Sequence, residues 1–108
     1  MPLWPELSLV AGEAVARAVG GEVRPPNDVF LNGKKVAGVL PEATRGRVVL
    51  GVGVNVNHTE DELPKDTVKP PTSLRVETGR EHDRDALLLE ILAELERAYD
   101  AWDGRYRR

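Results

Sequence analysis

Cysteine is absent from the 108-residue sequence. Disulfide staples and thiolate metal sites are therefore excluded, and the chain fits a reducing compartment. Aromatics are scarce, with one phenylalanine, two tyrosines and two tryptophans, so aliphatic side chains must build most of the core. No apolar run approaches the ~20 residues that a membrane-spanning helix needs. Met1 to Glu6 lack the basic start and apolar stretch of a secretory signal. There is no basic excess either: the formal net charge is −3, which argues against a general nucleic-acid binder. These absences point to a cytoplasmic protein with neither membrane nor nucleic acid as partner. Asn57-His58-Thr59 fits the glycosylation sequon, but without a secretion signal the match is chance.

Several chemistries are also missing. His58 and His82 are the only histidines, and neither is spaced for zinc. Ser8 and Ser73 have no histidine partner nearby in sequence, so a serine triad has no support. Gly51-Val52-Gly53 lacks the spacing and following helix of a dinucleotide fingerprint, and no Walker A motif occurs.

What is present is enough for one domain. Leu7, Val10, Ala11, Ala14, Val15 and Ala18 recur at helical spacing. Pro5 suits a first helical turn, and Gly20-Gly21 ends the pattern. A helix is thus predicted from Pro5 to Val19, with a stripe of small residues suited to close packing on a sheet. Glu22-Val23-Arg24 reads as extended, and Pro25-Pro26 cannot lie inside a helix. Residues 28–31 read as a strand, Asn32-Gly33 as a hairpin turn, and Lys34 to Glu42 as the returning strand. Ala43 to Gly46 form a second tight turn, followed by a strand from Arg47 to Asn57. The result is an antiparallel three-stranded meander. Residues 58–72 read as a surface loop, and Thr72 to Glu77 as a short extended piece broken by Gly79. A final helix carries Leu88, Ile91, Leu92, Leu95, Tyr99 and Trp102 on one face, with Asp83 as N-cap and Gly104 as stop. The fold class is α/β, of the α+β kind: a meander flanked by an N-terminal and a C-terminal helix.

The strand after the second turn has two unlike faces. Leu50, Val52, Val54 and Val56 share one face. Gly51, Gly53 and Asn55 share the other, which is nearly bare backbone beside one amide. Such a face admits a flat ligand or a closely packed helix, and spacing does not choose between them. Lys35 follows the Asn-Gly turn on the same face as Ala37 and Val39. Small apolar neighbours would let its ammonium act strongly on a carboxylate or phosphate, although a solvated lysine is the commoner state. Gly38 faces away from Lys35 and marks a bulge or a close backbone approach. Asn27-Asp28 reads as turn chemistry or as a polar pair at a strand entrance, and spacing favours the turn.

Taken together, these segments resemble the biotin-protein ligases. Arg24-Pro25-Pro26-Asn27-Asp28 resembles their Lys-Trp-Pro-Asn-Asp signature. Lys34 to Leu40 resembles the Lys-Hyd-Ala-Gly-Ile-Leu strand, and Val49 to Asn57 the Gly-Hyd-Gly-Hyd-Asn-Hyd strand, where Hyd is an apolar residue. Leu7 to Gly12 and Pro71-Thr72-Ser73-Leu74 are similar to further family segments. Order and spacing agree over most of the chain.

The resemblance implies a class II synthetase-like catalytic domain using biotin and ATP, with Mg2+ accompanying ATP. Biotin's carboxylate attacks the α-phosphate to give biotinyl-AMP, and a lysine of a carboxylase's biotin carboxyl carrier domain then takes the biotin. On this basis Lys35 and Asp28 are the catalytic residues. Lys35 draws carboxylate and phosphate together, and Asp28 orients or deprotonates the incoming amine. Arg24, Asn27, Gly38 and Asn55 fall on substrate-binding positions: Arg24 on the phosphate side, Gly38 beside biotin and Asn55 on the adenylate side. Pro25 replaces the family tryptophan.

The family's upstream Gly-Arg-Gly-Arg-type loop, the strands before it and the small C-terminal barrel have no counterpart here. Residues 1–108 thus read as one partial catalytic domain, partnered by a complementary half or by a second copy through an open sheet edge. Two other readings remain: a non-catalytic remnant acting as an interaction module, and the related lipoate-ligase group. Pro-Asn-Asp and Gly-x-Gly-x-Asn favour the biotin branch over the latter.

Overall fold

A computed structural model describes the backbone of residues 4–25, 27–65 and 67–106, and the side chains of 6–25, 27–65 and 67–101. Helix α1 spans Trp4–Val19. Its small residues do what their spacing suggests: Ala11, Ala14 and Val15 are buried against the sheet and the last helix. The helix stops where Gly20 turns to φ +77°, so that the amides of Gly20 and Gly21 both donate to the Ala16 carbonyl, an end that glycine reaches without a Cβ penalty.

Four antiparallel strands follow in sheet order: β1 Glu22–Arg24, β2 Asp28–Leu31, β3 Lys34–Thr44 and β4 Arg47–Val54. The sequence suggested a meander of three. The extended Glu22–Arg24 piece joins as a fourth strand by pairing with β2. Asn32-Gly33 makes the β2–β3 turn with φ of 53° and 77°, and Arg45-Gly46 makes the β3–β4 turn with 47° and 77°. Both turns thus place two successive residues at positive φ, which matches the right-handed twist of the strands. β4 ends at Val54 rather than Asn57.

The core lies between the sheet and the helices. Val29, Val36, Ala37 and Val39 supply its sheet side, with Leu74, Leu87 and Ile91 closing it. Two expectations are corrected here. Thr72–Glu77 is not extended: Leu74–Thr78 forms a short helix, α2, capped by the Ser73 hydroxyl, which accepts from the Val76 amide. The final helix, α3, spans Arg84–Tyr106 and runs through Gly104 without stopping there. Asp83 caps it as expected, accepting from the amides of Asp85 and Ala86. Its buried edge is Leu87 and Ile91, whereas Leu88, Leu92 and Tyr99 are about half exposed. The Trp102 side chain and Pro26 lie outside the described residues. No helix among the described residues is long and apolar enough to cross a membrane.

Candidate functional site

The site forms on the sheet face opposite the core, and a β-bulge creates it. Val29 pairs with Ala37, but Phe30 pairs with Lys35, so Val36 is an extra residue in β3. Such an insertion breaks the period of two. Val36 and Ala37 consequently both bury. Lys35 and Gly38 come to the same face, where a Cβ on Gly38 would lie 3.6 Å from the Lys35 Cε. This overturns the expectation that Gly38 faces away from Lys35, and it identifies Gly38 as the floor beneath the lysine.

Gly38 pairs directly with Gly53 of β4. A Cβ at Gly53 would meet nothing within 4 Å, so among the described residues no helix packs over this face and the glycine backbone is open. The two glycines floor a groove of about 610 Å³ that is also lined by Lys35, Asn55 and the loop residues Pro64, Thr67, Val68, Lys69 and Pro71. The opposite face of β4 behaves as expected, with Leu50, Val52, Val54 and Val56 packing toward the core.

Backbone bonds fix the lysine's position. The Lys35 amide donates to the Pro70 carbonyl at 2.9 Å, and its carbonyl accepts from the Thr72 amide at 2.8 Å. The Asn55 side chain ties the same segment to β4 by donating to the Thr72 carbonyl at 3.1 Å. Thr72 and Asn32 both donate to Glu77, which links the β2–β3 turn to α2. Those hydrogen bonds, Thr72's first, hold the Glu77 carboxyl below its usual range.

Asp28 is buried beside the groove, and its two oxygens bind two ammonium groups. Lys35 Nζ lies 3.2 Å from Oδ1, and Lys69 Nζ pairs with Oδ2. Burial alone pushes the Asp28 carboxyl up. The hydrogen bonds from Lys69 and Lys35, with the charges behind them, outweigh burial and hold it below the ordinary aspartate value. A carboxylate so stabilised is a weak base and a good anchor for cations.

The remaining residues singled out by sequence are placed unevenly. Asn27 contributes its carbonyl, which accepts from the Val39 amide at 2.8 Å. Arg24 is a backbone neighbour of Asp28, but its guanidinium stacks over the Phe30 ring at 4.2 Å and pairs with Glu22. Ser73 and the two histidines are structural. Ser73 donates to the His58 carbonyl, and His82 exchanges backbone bonds with the Asn57 side chain. Lys69 was not foreseen. Its contact joins residues 41 apart, and a lone lysine before two prolines carries no motif.

A second groove, of about 880 Å³, runs between the apolar face of β4 and α3 and is lined by Val52, Val54, Leu88, Ile91, Leu92 and Leu95 among others. It carries no comparable charged cluster over a glycine floor.

Residues 6–58 match the family model described as the biotin/lipoate A/B protein ligase family. That match defines the class, the biotin and lipoate protein ligases, and spans most of α1 and the whole four-stranded sheet. Relatives narrow it. The chain is 36% identical to the biotin–[acetyl-CoA-carboxylase] ligase of Mycobacterium tuberculosis, over 92% of this chain and 39% of that protein. It is 34% identical to the bifunctional ligase/repressor BirA of Bacillus subtilis, over 88% of this chain and 33% of that protein. The biotin protein ligase of Aquifex aeolicus solved with biotin and ATP superimposes with a TM-score of 0.80 at 33% identity, over 88% of this chain and 43% of that one. The chain belongs to the biotin-protein ligase family and corresponds to less than half the length of these relatives.

Proposed function

We propose that the groove over Gly38 and Gly53 is one wall of a biotin-protein ligase active site, and that the chain works as the ATP- and biotin-contacting part of that enzyme. The observation that carries this reading is the Lys35–Asp28 pair beside a bare two-glycine floor, in a chain related to proteins named as biotin ligases. Biotin's carboxylate attacks the α-phosphorus of ATP and pyrophosphate leaves. Lys35 offers its ammonium to both anions, offsetting their repulsion and the charge that develops between them. The ureido ring and the adenylate lie flat along the glycines, and Asn55 faces the adenylate.

In the second step the neutral amine of the acceptor lysine attacks the biotinyl carbonyl. The amide C–N bond forms, the acyl C–O bond to phosphate breaks, AMP leaves with the electron pair, and the amine's proton passes to solvent. Asp28, its charge balanced by Lys35 and Lys69, orients the incoming amine by accepting a hydrogen bond from it. Its lowered acidity range suits that orienting role better than proton abstraction. The acceptor is the carrier domain of a cytoplasmic carboxylase. Magnesium enters with ATP as its counter-ion. Among the described residues no group of three His, Asp or Glu side chains is placed to hold it.

The β4–α3 groove supports a further part of this reading. Leu88 and Leu92 are more than half exposed there, and the edge of β4 carries no further strand among the described residues. The remaining half of a ligase catalytic domain covers this apolar face and pairs with the open β4 edge, extending the sheet whose other face floors the site. The test is pyrophosphate release by a ligase that contains this segment together with that half. Biotin-dependent release that disappears in Lys35→Ala supports the proposal, and unchanged release in that variant refutes the role of Lys35. The remnant reading gains weight if neither biotin nor ATP binds. The lipoate reading gains weight if a lipoyl-adenylate outcompetes the biotinyl one.

A further inference from the structure

Asp28 needs only one cation to balance it, yet it has two. Its side chain is 5% exposed, whereas those of Lys35 and Lys69 are 40% and 50% exposed. Two ammonium groups therefore emerge at the groove above one submerged carboxylate, leaving a single net positive charge. Among the described residues lining the groove, these two lysines are the charged ones. The rest of the lining is glycine backbone, aliphatic carbon, Thr67 and Asn55. Val68, next to Lys69, stands fully exposed at the rim, where the body of a bound molecule would cover it. A cationic end beside an apolar trough suits a ligand with an apolar body and one negative charge. Lysine's flexible stem and three donors let it keep Asp28 and reach an anion as well.

We propose that Lys69 is a second anion-contacting residue of the groove, sharing the ligand's phosphate with Lys35 and setting the preference for a phosphate-bearing acyl adenylate over an uncharged acyl compound. This rests on the reading of the groove as the acyl-adenylate site. Lys69 reaches the site from the loop before α2, outside residues 6–58 that match the family model.

The experiment is calorimetry on the full chain with two probes: biotinol-adenylate, a stable phosphodiester that keeps the negative charge, and biotinol, which has none. Lys69→Met removes the charge and retains most of the bulk. Losing one charge-assisted hydrogen bond is expected to weaken biotinol-adenylate binding roughly ten- to hundredfold. Biotinol binding and the melting temperature are expected to change little, and Lys69→Arg to restore most of the affinity. If Lys69→Met binds biotinol-adenylate within about twofold of the parent, Lys69 is only a counter-ion to Asp28; the inference fails while the reading of the groove stands. A parallel loss for both probes also overturns it, because it marks a structural role. If the parent chain binds neither probe, the acyl-adenylate reading fails and this inference with it.

Discussion

Replacing Gly53 with valine separates stability from binding. Gly53 lies in β4 opposite Gly38, and a Cβ there would meet nothing within 4 Å. It is not among the glycines with positive φ, so its backbone conformation suits any residue. Glycine inside a strand costs roughly 0.5–1 kcal/mol relative to alanine through chain entropy, and valine adds favourable strand preference on a scale of about 1 kcal/mol. The substitution is therefore expected to stabilise the fold by about 0.5–1.5 kcal/mol. For a chain near 100 residues each kcal/mol raises Tm by roughly 4–8 °C. The same isopropyl group stands on the groove floor, where a flat ligand would lie. Overfilling a packed contact costs about 1–3 kcal/mol, so affinity for a biotinyl-adenylate analogue is expected to fall by roughly five- to hundredfold. Thermal melting and calorimetry on the same preparation read both effects. A lower Tm would show that the glycine face is covered. A higher Tm with unchanged affinity would show that the ligand does not lie on this face, and would refute the placement.

Asp28→Asn removes the anion between two lysines and is expected to destabilise the chain by roughly 1–2 kcal/mol at neutral pH. The folded carboxyl titrates below its unfolded value of ~3.9. Its contribution is therefore present above that value and is lost as pH falls through the lower folded pKa. Urea melts of parent and variant should accordingly begin to converge as pH falls below about 4, and a gap that widens with further acidification would contradict the ion-pair assignment. Ser73→Ala removes the α2 cap and the bond to the His58 carbonyl and is expected to cost about 1–2 kcal/mol, read as a lower denaturant midpoint. Lys35→Ala, in a ligase containing this segment, is expected to eliminate biotin-dependent pyrophosphate release without lowering Tm by more than a few degrees, because the lysine side chain is 40% exposed.

The parts of the fold legible in the sequence were those set by local chemistry. The small-residue stripe of α1, the Asn32-Gly33 turn, the alternation along β4 and the Asp83 cap each depend on neighbours within a few residues. The misreadings have equally physical causes. Helix α2 has five residues, too few to show a period, and it follows two prolines that suggested extended chain. In α3, leucines at 87, 88, 89, 92 and 95 leave the buried edge undetermined by pattern alone. The side of Gly38 was misjudged because Val36 is a bulge residue, and a bulge reverses every alternation beyond it. Lys69 was invisible because its partner lies 41 residues away. Asp28 and Lys35, 3.2 Å apart across the β2–β3 hairpin, were named from family resemblance, since spacing by itself favoured turn chemistry and a solvated lysine.

The central claim is that the Gly38–Gly53 face holds the acyl adenylate. It is tested most directly by titrating isotope-labelled chain with biotinol-adenylate and following backbone amide resonances. Saturable shifts clustered at Gly38, Gly53, Asn55, Lys69 and Thr72 are the expected result. Saturable shifts confined to the β4–α3 groove, or none at any concentration, would contradict it.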